Sequence, residues 1–242
     1  MYKKISTIIV CCFGAALFAG SMFENNQAEA GSVTEINLTK TDENSLQKIS
    51  DYSKMVADNY QTINDYYIES LSVNGLSRSQ KKEYLSRDDI YAVGKNIAIS
   101  KAEVQQYTDF YLNDGESQEN AQKLAEKDAM ERNALYVAAI QNGYEVTDED
   151  INDWLTELRT MLENDTTGVY QSAMEGFDSE EAYWEYEYEV YRVDLPIQNY
   201  VSSLQIDTTM SADSENGNSD TDAFSELKQR LADEQDFELT NL

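Results

Sequence analysis

Carboxylates are the most abundant reactive groups in this chain, 46 Asp and Glu against 18 Lys and Arg, and histidine is absent. Both cysteines, Cys11 and Cys12, fall inside the opening apolar run. A chain so composed has no imidazole to activate a serine or cysteine nucleophile, and no His or Cys set to hold zinc. Carboxylate-only chemistry survives, of which glycoside hydrolysis by two acids is the best-known form. With this many acids, a pair at a suitable separation arises by chance, and no α/β or barrel pattern accompanies it. We therefore expect no catalytic residues and no enzyme.

Calcium is the other use for clustered acids. The stretch "DSENGNSDTD" at 213–222 looks like a calcium loop, but an EF-hand places glycine sixth, oxygen ligands at odd positions and glutamate twelfth. Setting Gly217 sixth puts Ala212 first and Ala223 twelfth, so the loop fails at both ends. No cofactor and no metal site is expected. A net charge of −28 repels nucleic acid and anionic membrane surfaces, which leaves basic or apolar partners.

The first thirty residues read as a secretory signal: "MYKK", then "ISTIIVCCFGAALFAG", then "AEA" at 28–30. Cleavage after Ala30 is expected, which makes the protein secreted or extracytoplasmic; left uncut, residues 5–23 approach the length of a bilayer span and would be its membrane contact. Cleavage would also remove both thiols, leaving no disulfide.

One proline, Pro196, and an abundance of Gln, Glu, Lys, Ala and Leu predict an all-α fold. Leu46, Ile49, Tyr52, Val56, Tyr60, Ile63, Tyr67 and Leu71 recur at steps of three and four, one face of a long helix over 44–72. Residues 72–89 read as a loop with a short helix near Gln80–Leu85, and "IYAVGKNIAIS" as a small hairpin. "SKAE" at 100–103 is a capping box that starts a helix, and Gly115 ends it.

An alanine-rich helix over 118–142 stops at Gly143. Thr147 then caps the next helix, with Asp150 at the third position, and Ile151, Trp154, Leu155, Leu158, Met161 and Leu162 form its apolar face. Residues 177–204 alternate as a strand would around Trp184–Val190. The "DSEE" box at 178–181 and the helical spacing of Tyr186, Val190, Val193, Ile197, Val201 and Leu204 favour a helix instead. Pro196 should kink that helix or break it in two. Residues 207–222 read as a flexible linker, and Phe224, Leu227 and Leu231 as one face of a last helix over 223–242.

The segments "VGKNIAISKAEVQQY", "AAIQNGYEVTDEDINDWL" and "FDSEEAYWEYEYEVYRVDLPIQNYV" resemble, in order and wording, the N-terminal chaperone domain of the SurA and PrsA type, to which trigger factor's substrate-binding region is also similar. The resemblance covers about residues 90–204. Ala139, Gly143, Val146 and Thr147–Asp148–Glu149–Asp150–Ile151 carry its most specific piece. It implies a helical bundle closed by a returning C-terminal helix, with residues 31–89 as a separate N-terminal helical segment and 90–206 as the domain itself. Such chains often carry a prolyl isomerase module with active-site histidines; here residues 207–222 occupy that place and histidine is missing. The resemblance thus implies holding of unfolded or extended polypeptides without isomerase activity.

Seventeen tyrosines suit that task, because a rigid amphipathic ring gives contact area and tolerates water. Tyr107, Tyr111, Trp154, Tyr183, Trp184, Tyr188 and Tyr191 are the candidate peptide-contacting residues. The crowding of rings from Tyr183 to Tyr191 on one helix predicts that some stay exposed. The competing reading is a non-catalytic envelope scaffold that binds one specific folded partner.

Overall fold

In a computed structural model the protein is described over residues 43–70, 75–163, 165–209 and 220–240. The opening apolar segment, Ala30 and most of the calcium-like loop lie outside these residues. Among them run eight helices and three short strands: α1 (Glu43–Ser70), α2 (Arg78–Tyr84), β1 (Ile90–Val93), β2 (Ala98–Ser100), α3 (Lys101–Asp114), α4 (Gln118–Gln141), α5 (Asp148–Leu162), α6 (Val169–Met174), α7 (Glu180–Thr209), α8 (Asp220–Gln235) and β3 (Glu238–Leu239). No described helix is long and apolar enough to cross a membrane. The described residues divide into two compact units, those of 43–58 with 147–194 and those of 59–146 with 195–240.

In the second unit α4 packs along α3 and along α8. Ala121, Ala125 and Ala129 make a fully buried row at steps of four, and side chains this small let a neighbouring backbone come close. Both ends of the α3–α4 pair are closed by left-handed glycines, Gly115 (φ 105°) and Gly143 (φ 82°). At each, two amides turn back to the orphaned carbonyls of the last turn: Gly143 and Tyr144 donate to Ile140 and Ala139, both at 3.0 Å.

The mostly helical fold stands, but the all-α expectation needs correction, because β2, β1 and β3 form an antiparallel sheet in that order. β1 pairs with β2 through a bulge at Ile90–Ala92 and with β3 through Val93 to Glu238 and Ala92 to Leu239. Asp236 (φ 52°) turns the chain from α8 into β3. Thr240 secures the end: its amide donates to Tyr91 O at 2.9 Å and its hydroxyl to Ile90 O at 2.8 Å. Gly94 is required beside this tail, since a Cβ there would lie 2.9 Å from Phe237 Cε1.

In the first unit the predicted face of α5 buries Ile151, Leu155, Leu158 and Leu162, each contributing roughly 1.5–3 kcal/mol when fully removed from water. Thr147 and Asp150 make the full reciprocal cap at its start. α1 comes so near the turn after α6 that a Cβ on Gly176 would fall 2.3 Å from Ser53 Cβ.

Three local expectations are corrected. Ser100 does accept the Glu103 amide at 3.0 Å, but the Glu103 carboxylate leaves the cap and accepts from buried Asn133 Nδ2 at 2.7 Å. The cap of α7 is Ser179, which accepts the Ala182 amide at 3.1 Å, one residue later than the Asp178 start implied by "DSEE". Of the kink or break expected at Pro196, the break does not occur: α7 runs as one helix from Glu180 to Thr209. The burial of Val193, Leu195, Pro196 and Ile197 outweighs the hydrogen bond lost at the proline. Helix also takes up 207–209 and 220–222 of the expected linker.

Candidate functional site

Rings in the first unit form one connected series. Tyr170 on α6 lies 5.7 Å from Tyr183 and 6.1 Å from Trp184. Tyr183 meets Trp184 at 5.2 Å and Phe177 at 5.4 Å, and Phe177 meets Tyr186 at 5.3 Å. Most of these contacts are edge-to-face or tilted, the arrangements in which ring quadrupoles attract. The series grades from core to surface. Tyr183 and Tyr186 are buried, whereas Tyr170, Phe177 and Trp184 are half-buried.

Charge borders the outer end. The Arg159 guanidinium lies 5.2 Å from the Trp184 ring and pairs with Glu180, while the Trp184 indole donates to Glu180 Oε1 at 3.3 Å. The Arg159 hydrogen bond holds the Glu180 carboxyl below its usual range. This corner is a cation–π contact tied down by a carboxylate.

The candidate residues separate by exposure. Tyr183 and Tyr191 are 1% and 0% exposed, and Tyr107 on α3 is also buried. Trp154, Trp184, Tyr188 and Tyr111 are half-buried. Trp154 packs edge-on against Tyr191 at 5.8 Å. Burial, and then a hydrogen bond to Asp148, raises the Tyr188 hydroxyl above its ordinary range. Tyr111 lies in the other unit and donates a very short hydrogen bond to Asp128; burial raises both groups above their ordinary values. Of the five rings from Tyr183 to Tyr191, none is fully exposed; among the described residues the large apolar side chain that is exposed is Leu239, at 50%.

Buried acids cluster in the second unit. Glu131 Oε1 lies 3.0 Å from Lys127 Nζ, and its Oε2 lies 2.8 Å from Lys228 Nζ on α8. The second contact is an ion pair placed off the hydrogen-bond direction. Arg132 stands 4.0 Å from Glu103. These contacts join α3, α4 and α8 and match a structural role. Among the described residues no three acids are disposed to hold a metal ion.

Tyr170, Phe177 and Arg159 were not among the sequence candidates. No periodicity marks a ring on a six-residue helix or in the turn after it. Glu187, fully buried, also escaped notice, although it stands at the middle of the 183–187–191 row whose step of four is helical.

Comparison with protein-family models finds no match, and comparison with curated proteins and with solved structures finds no significant one.

Proposed function

We propose that the protein is a non-catalytic, extracytoplasmic chaperone-like binder of unfolded or extended polypeptides, and that the first unit provides the contact surface. The observation that carries this reading is the graded ring series, in which Tyr170, Phe177 and Trp184 present partial ring surface continuous with a buried aromatic core. Rings of this kind offer apolar area and polar edges to many different side chains without an open greasy patch. Trp154 and Tyr188 extend the half-buried set on α5 and α7. Tyr183 and Tyr191, both buried, support that surface from beneath, and Tyr107 is buried within the other unit.

The SurA-type resemblance of residues 90–204 and the signal-like residues 1–30 support the same reading. So does a charge of −28, which keeps a binder with bound client in solution. The test is suppression of aggregation of a denatured reporter by the full chain. Protection that weakens on the double change Tyr170→Ala and Trp184→Ala is the expected result. Protection no better than that of an inert acidic protein at equal concentration would end the proposal.

A further inference from the structure

Glu187 has 0% of its surface exposed, and neither carboxyl oxygen accepts a hydrogen bond. On α7 it is flanked one turn away on each side by Tyr183 and Tyr191. Rings from Tyr170 on α6, Phe177 in the following turn and Trp154 on α5 pack on those two tyrosines. The indole nitrogen of Trp154 is likewise buried with no acceptor. Among the described residues the charged group that acts on Glu187 is Asp194, also buried and of like sign. The Tyr183 hydroxyl works in the opposite direction but stops short of hydrogen-bond geometry.

Ionisation of a carboxylate in such a place is disfavoured, because desolvation penalises the charge and the Tyr183 hydroxyl offsets it only in part. The uncharged acid is tolerated. We propose that Glu187 is a proton-operated latch of the first unit: uncharged, it lets α5 and α7 close through Trp154 and Tyr191, and its ionisation, releasing one proton to solvent, opens the aromatic core.

Burial, with Asp194 adding to it, pushes the Glu187 carboxyl up to about 8. In the unfolded chain the same group ionises in the ordinary range near about 4.3. Between these values the folded form keeps a proton that the unfolded form has lost, so stability falls as pH rises through the window and levels off above it. Opening would expose Trp154, Tyr183 and Tyr191 together.

Both tryptophans of the chain, Trp154 and Trp184, lie in this unit, so their emission reports on it directly. In the full chain, emission should shift to the red with a midpoint near about 8, and Glu187→Gln, which mimics the neutral acid, should abolish the shift. The same transition at the same midpoint in the variant would overturn the latch. If the glutamine variant does not fold, carboxyl-carbon resonances of the wild-type protein labelled in glutamate decide the matter. One glutamate titrating near about 8 upholds the proposal, and all glutamates titrating within about one unit of about 4.3 refute it.

Discussion

The two units handle buried acids in opposite ways. In the second unit Glu103 meets Asn133 and Arg132, Glu131 meets two lysines, and Asp128 meets Tyr111. In the first unit Glu187 is fully buried with neither carboxyl oxygen in a hydrogen bond, and the charged group that acts on it is a second acid, Asp194. A paired charge ties one helix to another at a set register, since shifting either partner leaves the other desolvated. A lone acid sets no register and makes its unit sensitive to proton activity. The second unit is thus built to hold one arrangement, and the first to hold it conditionally.

Breaking the paired side should show the largest effect. Glu103→Ala takes a buried carboxylate away from Arg132 and from Asn133, which keeps the Ala129 carbonyl as an acceptor, and is expected to cost about 3–5 kcal/mol, read by chemical denaturation. A loss below about 1 kcal/mol would mean that the pairing contributes nothing beyond a surface ion pair. Glu187→Gln should change stability in the other direction. At about pH 7 we expect a gain on the order of 2–3 kcal/mol, which disappears near about pH 4, where the wild-type acid is neutral in both states. Thermal denaturation at the two pH values checks both the sign and its disappearance.

Smaller effects refine the comparison. Thr147→Ala removes the hydroxyl half of the α5 cap and leaves the backbone amide of residue 147 donating to Asp150, and it should cost about 1 kcal/mol without altering the pH dependence of the unit. Arg159→Ala removes an exposed pair and should leave stability unchanged within error while altering Trp184 emission, because the guanidinium lies over that ring. Emission that does not respond would place the cation elsewhere in solution.

Local chemistry was readable from the chain; long-range recruitment was not. Gly115, Gly143 and the Thr147–Asp150 box act within a few residues of themselves, and each stands where its type predicts. Glu103 also carries the residue type of a box, but Asn133, thirty positions on, takes its carboxylate. Pro196 sits inside one unbroken helix, where its burial offsets the hydrogen bond it cannot make.

β3 has two residues and no strand pattern, and it exists because the edge of β1 is there to pair with it. The candidate site was legible to the same depth. Tyr183, Trp184, Tyr188 and Tyr191 could be seen to share a helix, but which of them faces water depends on Tyr170, Phe177 and Trp154, which come from other elements.

The functional claim is tested most directly by titrating the full chain with a reduced, alkylated polypeptide that cannot refold, while following tryptophan emission. Because both tryptophans belong to the first unit, the account predicts a saturable change that shrinks when Trp184 is replaced by phenylalanine. Emission that stays constant while the polypeptide binds, or no binding at any concentration reached, would contradict it.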